Sequence, residues 1–326
     1  MSSGESTQGR LFVGVDIGGT KIAAGLVDHQ GKIRTQIRTP MIANGGAEAG
    51  LQAVVAAIEQ VFESQPGSRD GIGGIGICAP GPLDPNAGVV LNPPNLPCWR
   101  DFPLTRRIEE LYKVPVKLEN DASSAALAEV YWGSGRGYRH VFYATIGTGI
   151  GSGIVIDNHI FNGRTGAAPE GGHMSIDYKG PPCGCGKPGC IEILAAGPAI
   201  GRRARTKLAG GAKSVMLDLA GGSQDQVRSE IVGKAFSAGD PLAKEVLLET
   251  VDLLALWLSN IVDLIEPDAL VIGGGVAAML SPFFEELHRR MDGYCIIKRS
   301  REIPLIQARY GADSGIAGGA ALCWRA

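Results

Sequence analysis

The chain predicts an α/β protein in two halves, and three observations carry that prediction. Apolar strand-like runs alternate with helical stripes. A Gly/Thr-rich hairpin turn occurs twice, near residue 18 and again near residue 147. At 326 residues the chain is long enough for two domains of ordinary size.

Residues 1–10 are polar and small and read as a disordered tail. The stretch LFVGVDIGGTKIAAGLVDHQGKI then predicts a buried strand over Leu11 to Ile17, a tight turn at Gly18-Gly19 and a returning strand over Lys21 to Val27. Glycines in that turn let backbone N–H groups approach a phosphate, with the Thr20 hydroxyl and Lys21 ammonium beside them. Asp16, at the strand end, suits Mg²⁺ held through water. An ordinary hairpin with a Gly-Gly turn fits the same residues.

Residues 45–64 carry Leu51, Val54, Val55, Ile58, Val61 and Phe62 at helical spacing. A buried strand over Ile72 to Cys78 runs into a Pro- and Gly-rich loop holding Asn92, Asn95 and Trp99. That loop reads either as a rigid presenter of amides to hydroxyl groups or as a plain connection. VPVKLENDASSAALAEVYWGSG predicts a strand, a junction and a helix. At the junction, Asp121 is either an N-cap or a general base at the C-terminal end of a strand. The segment HVFYATIGTGIGSGIVIDNHIF repeats the first hairpin, with Thr145, Gly147, Thr148, Gly149 and Gly151 in its turn. The repetition favours a phosphate-holding role for both turns.

The most specific chemistry lies in EGGHMSIDYKGPPCGCGKPGCIE, residues 170–192. His173, Cys183, Cys185 and Cys190 are the donor types that Zn²⁺ takes tetrahedrally, and four of them close the shell as a structural site. Glu170 and Glu192 bracket this clip as carboxylates that it holds in place. The other four cysteines are scattered and the total of seven is odd, which argues against a disulfide framework. With no secretory apolar stretch after the polar start, the chain reads as cytoplasmic and reduced.

Further on, Asp240-Pro241 predicts a helix start, N-cap then Pro. The apolar run Val246 to Ile265 is broken by Glu249, Asp252, Asn260 and Asp263, so it reads as a buried helix and not a membrane span. Ala269 to Ile272 predicts a strand entering Gly273-Gly274-Gly275. That turn passes beneath an adenine and ribose, or serves close strand-to-helix packing. A last strand near Leu305–Ala308 leads to a small-residue helix. Net charge is −2, so no basic surface argues for nucleic acid or an anionic membrane. Gly is the unusual residue, 48 in all, and its clustering marks the turns.

Taken together these residues resemble the ROK family (repressors, open reading frames and sugar kinases), and within it the ATP-dependent glucokinase-like members. E-G-G-H at 170–173 followed by C-G-C-G-x-x-G-C-x-E at 183–192 is the most specific part. DIGGTK, NPPN, END, T-I-G-T-G-I-G-S-G and VIGGG occur in the family's order. The resemblance implies the two-domain sugar kinase/Hsp70/actin-like (ribonuclease H-like) α/β fold with an interdomain cleft. A smaller domain over 11–120, with a helix at about 311–326 packing back on it, and a larger one over 121–310 carrying the zinc segment would follow.

It further implies transfer of the γ-phosphoryl group of ATP to the 6-hydroxyl of glucose, with Asp121 as base. Asn95, Asn120, Glu170, His173 and Glu192 would bind the sugar, with Asp121. Asp16, Gly18, Gly19, Thr20, Lys21, Thr145, Gly147, Thr148, Gly273, Gly274 and Gly275 would serve ATP and Mg²⁺. His173, Cys183, Cys185 and Cys190 would bind zinc, and the partner would be a second copy, as a homodimer or homotetramer. N-acetylmannosamine, N-acetylglucosamine or fructose are alternative substrates. A sugar-responsive repressor is disfavoured, since it needs a helix-turn-helix domain and about ten polar residues precede the first strand.

Overall fold

A computed structural model describes residues 9–324. The tail expected at residues 1–10 lies outside the described residues except for Gly9 and Arg10, as do the last two residues of the expected final helix.

Each half grows from a hairpin. In the first, β1 (Leu11–Ile17) pairs antiparallel with β2 (Lys21–Asp28), and β3 (Ile33–Pro40) adds to β2. β1 and β2 are buried along nearly their whole length, whereas β3 alternates half-buried and exposed residues as an edge strand does. Helix α1 (Ala47–Ser64) lays Leu51, Val54, Ile58 and Val61 into the core, the stripe read from the sequence. β4 (Ile75–Ala79) joins β1 in parallel. A two-strand ribbon, β5 (Leu83–Asp84) and β6 (Val89–Val90), and helix α2 (Leu104–Tyr112) intervene before β7 (Val116–Asn120), which pairs in parallel with β4. Helix α3 (Asp121–Trp132) leaves directly from the end of β7.

The second sheet repeats the plan. β8 (His140–Ile146), β9 (Ile150–Ile156) and β10 (His159–Ile160) are followed much later by β11 (Ala269–Gly273) and β12 (Leu305–Gln307). The strand orders are β3-β2-β1-β4-β7 and β10-β9-β8-β11-β12, so counted within each sheet both read 3-2-1-4-5. The repeated turn in the sequence is thus the signature of a repeated sheet.

Between β10 and β11 come the zinc segment and helices α4 (Ile191–Ala195), α5 (Gly197–Ala209), α6 (Met216–Leu219), α7 (Ser229–Ser237) and α8 (Pro241–Ile265). α8 starts as its sequence demands, with the Asp240 carboxylate accepting the Ala243 N–H at 2.8 Å and Pro241 at the first helical position. Helices α9 (Gly275–Leu280), α10 (Phe284–Tyr294) and α11 (Ser314–Trp324) complete the chain. Among the described residues no helix is long and apolar enough to cross a membrane.

The described residues form two compact units. The first holds those up to Tyr143, Gly153–Pro169 and those from Arg309 on; the second holds Ala144–Ser152 and Glu170–Ala308. The sequence reading draws one boundary at Asp121, whereas α3 stays by packing with the first unit. The cause is α11, whose small residues let it settle against both the first sheet and α3. A Cβ on Gly318 would crowd Ser124 and Ala125 of α3, and one on Gly76 of β4 would land on the Gly319 carbonyl. Gly76→Ala therefore overpacks this contact and is expected to cost about 1–3 kcal/mol in urea unfolding. Wild-type stability in the variant would contradict so tight a contact.

Candidate active site

In the first unit, the turn between β1 and β2 is closed by the Gly18 N–H donating to the Lys21 carbonyl at 2.9 Å. The Thr20 and Lys21 side chains are left exposed. Gly19 lies against the loop that carries Asn95: a Cβ on it would stand 2.8 Å from the Asn95 carbonyl oxygen. That loop is anchored from below by Trp99, which is fully buried, stacks on Phe102 at 5.4 Å and donates its Nε1–H to the Ala47 carbonyl at 3.2 Å. Asn95 itself is exposed. The rigid-presenter reading of this loop has a physical basis in that anchor.

At the β7–α3 junction the two readings of Asp121 separate. Asn120, not Asp121, is the N-cap: its side-chain oxygen accepts the Ala122 and Ser123 N–H groups at 3.0 and 3.3 Å. Asp121 is the first helical residue, and its carboxylate accepts the Ala122 N–H at 2.7 Å. With Asn120 as the cap, the start of α3 does not depend on Asp121 for capping. Asp121 touches solvent yet is densely ringed by protein, and this burial pushes its carboxyl above the ordinary aspartate range against the hydrogen bonds that favour ionisation.

Asp16 is driven up to about 6, by burial first and by the charge of Asp121 second, with Lys21 and Arg38 opposing. A half-buried carboxylate near a second one fits a hard divalent cation such as Mg²⁺. The same shift bears on stability. Because the folded-state pKa lies above the ordinary aspartate value of 3.8, the fold binds the extra proton between about pH 4 and 6. Stability is therefore lost as pH rises through that window, by at most about 3 kcal/mol. Asp16→Asn is expected to raise the urea midpoint at pH 7.5, with the gain shrinking toward pH 4. An equal or lower midpoint at pH 7.5 would contradict this.

Glu119 is a residue that the sequence reading passed over. It is buried and accepts the Asn120 N–H and the Asn162 side-chain amide, both at 2.7 Å, and burial raises its pKa. It thereby ties the junction to the loop after β10. A third carboxylate two residues before Asp121 was visible in LEND, but alternation along β7 puts it on the face of the exposed Lys117, and its bond to Asn162 is a long-range contact.

In the second unit, the turn between β8 and β9 is closed by the Gly147 N–H donating to the Gly149 carbonyl at 2.9 Å, with Thr148 exposed at its tip. Gly274, at φ 91°, caps α9 in a conformation that disfavours other residues, and its Cα packs against the Ile146 backbone. Close packing is thus one function of the glycine run. Gly147, Thr148 and Gly275 line a cavity of about 1250 Å³ whose remaining wall comes from α5, α7 and α9, including Arg205, Lys234 and Phe236. Thr145 and Gly273 are absent from its lining. Asp225 and Arg228, from the segment between α6 and α7, also belong to this wall.

The four expected zinc donors come together. The ligand atoms of His173, Cys183, Cys185 and Cys190 lie within 4.8 Å of one another. Cys185 and Cys190 sulfurs stand 3.5 Å apart, and Cys183 Sγ is 3.7 Å from His173 Nδ1. Tetrahedral bonds of about 2.3 Å set sulfurs roughly 3.8 Å apart, so the set fits Zn²⁺. With Nδ1 facing the cluster, Nε2 is the nitrogen left for another partner. Glu170 lies exposed just before the short turn Gly171–His173. Glu192 sits in the first turn of α4, directly after Cys190, and accepts the Ile150 N–H at 2.9 Å.

Comparison with known proteins agrees with this architecture. Residues 12–326 match the ROK family. A glucokinase of Thermotoga maritima is 31% identical over 311 residues, covering 95% of this chain and 96% of that protein. The crystal structure of a ROK family glucokinase from Streptomyces griseus, in complex with glucose and AMPPNP, superposes with a TM-score of 0.81 at 33% identity, covering 97% of this chain and 100% of the other. A putative xylose repressor of Caldicellulosiruptor is 31% identical over 282 residues, 86% of this chain but 69% of the repressor. Two sheets of one topology, a His-Cys₃ cluster and a family match over nearly the whole length lead to one conclusion: this chain belongs to the ROK family and has its sugar kinase/actin-like fold.

Proposed function

We propose that this protein is an ATP-dependent hexose kinase that phosphorylates glucose at its 6-hydroxyl. The observation that carries the reading is the junction at Asn120 and Asp121, where capping by one residue leaves the carboxylate of the other to act as a base. Similarity to glucokinases along almost the whole chain supports it.

Phosphoryl transfer is mostly positioning and charge stabilisation. Asp121 accepts the proton of the sugar's 6-hydroxyl as that oxygen bonds to the γ-phosphorus. The bond to the β–γ bridging oxygen breaks, and ADP leaves with its electron pair. Asn95, Asn120, Glu170, His173 and Glu192 bind the ring hydroxyls and aim the reacting one. Thr20, Lys21 and the backbone N–H groups of Gly18, Gly19, Gly147 and Thr148 hold phosphate, and the cavity beside Gly275 receives the nucleoside. Asp16 would hold Mg²⁺, which when bound neutralises charge on the phosphate oxygens. Zn²⁺ at His173, Cys183, Cys185 and Cys190 is structural. The protein works in the cytoplasm as a homodimer or homotetramer, which light scattering would distinguish from a monomer.

The deciding experiment is a coupled assay for ADP release with ATP and Mg²⁺ over glucose, mannose, fructose, N-acetylmannosamine and N-acetylglucosamine. Glucose is expected to give the highest kcat/KM. An N-acetylated winner would move the enzyme to amino-sugar phosphorylation, and silence on all five from zinc-loaded protein would overturn the kinase reading.

A further inference from the structure

The Glu192 carboxylate is shared between two tasks. Its Oε2 accepts the N–H of Ile150, the first residue beyond the Gly147-Thr148-Gly149 turn. Gly149 packs so closely on the same oxygen that a Cβ there would stand 2.5 Å from it. A second bond grips the other side of the turn, where the Gly197 N–H donates to the Gly147 carbonyl at 2.8 Å. Residues 192–197 thus hold the turn at both ends.

This grip is itself braced. Arg202 donates to the Ile193 carbonyl at 2.6 Å, and Arg203 donates to the Leu194 carbonyl, so two guanidiniums tie down the last carbonyls of α4. At the start of α4, the Ile191 N–H donates to the Met174 carbonyl at 2.9 Å, which fastens the helix to the residue after His173. The outgoing strand is pinned again where Ser152 Oγ accepts the Gly171 N–H at 2.8 Å. A glycine-rich turn left alone samples many conformations and loses much entropy on ordering. Held this way, its N–H groups are oriented before a phosphate arrives.

We infer that Glu192 is a positioning residue for the phosphate-holding turn, in addition to being a sugar ligand. This rests on the kinase reading. One carboxylate oxygen fixes the turn through Ile150 and the other, Oε1, is the one that meets sugar.

The test is calorimetric titration with Mg·AMPPNP in the absence of sugar, on wild type, Glu192→Gln, Glu192→Ala and Gly149→Ala, with zinc content measured for each. Gln keeps an oxygen acceptor for the Ile150 N–H, so its nucleotide Kd is expected within about twofold of wild type while its sugar KM rises about tenfold. Ala removes the acceptor and is expected to weaken nucleotide binding about tenfold as well. Gly149→Ala presses the Glu192 carboxylate away from the turn while leaving that residue in place, and is expected to weaken nucleotide by a similar factor. Gly149→Ala also decides the matter if Glu192→Ala loses its zinc. Wild-type nucleotide affinity in zinc-replete Glu192→Ala and Gly149→Ala would overturn the inference while leaving the kinase reading intact. A wild type that binds no nucleotide would overturn the kinase reading, and the inference with it.

Discussion

Asp121→Asn is expected to lower kcat by a factor of about 10²–10⁴ while leaving the sugar KM within a few-fold of wild type. The amide is nearly isosteric and retains the oxygen that accepts the Ala122 N–H at 2.7 Å, so the start of α3 survives. The capping bonds belong to Asn120 and are untouched. What the variant lacks is a group that takes a proton. Unfolding temperature and zinc content should match wild type, and a variant that keeps most of its turnover would remove Asp121 from the base role. A pH profile gives an independent check. The base works ionised, and burial raises its pKa, so kcat/KM should fall on the acid side at a higher pH than an ordinary aspartate would give. Asp16 is raised as well and the two charges interact, so the acid limb belongs to the pair rather than to either group alone.

Removal of zinc is expected to be as damaging by another route. Stripping the metal with a chelator, or replacing the buried Cys190 with Ala, should reduce sugar turnover by about 100-fold or more. Residues 170–192 contain no helix or strand beyond the turn Gly171–His173 and the first residues of α4. Their backbone is held by short-range bonds such as Cys183 N–H to the Lys187 carbonyl and Ile176 N–H to the Gly189 carbonyl, both at 2.9 Å. Without the metal, the Cys183 and Cys190 thiols face one another and the His173 imidazole with no shared partner. Glu170 and Glu192 flank the loosened segment. Elemental analysis should find one zinc per chain before treatment, and added Zn²⁺ should restore activity to the stripped protein. Full activity in zinc-free protein would refute a structural role for the site.

The candidate site was legible in the sequence where the chemistry is local. A His and three Cys within eighteen residues of Gly- and Pro-rich chain must fold close together, so the metal cluster could be read directly. The two Gly/Thr turns are local as well, and their repetition foretold two halves, which the structure shows to carry sheets of one strand order. Burial is also written locally: the stripe of α1 and the capped start of α8 follow from spacing and from Asp240-Pro241.

Decisions that depend on distant residues needed the tertiary structure. Whether Asp121 caps its helix turned on which of two adjacent side chains faces the first N–H groups, and Asn120, still in extended backbone, takes that task. The burial of Glu119, and its bond to Asn162 forty-three residues away, depend on long-range contact. The assignment of α3 to the first unit depends on α11, almost two hundred residues further along, since small residues permit close packing without saying against what. The cavity wall combines α5, α7 and α9, whose separation in sequence conceals their nearness. Local composition determined which groups exist and what chemistry they can do. Long-range packing decided which way they face, because side-chain direction follows from how elements meet.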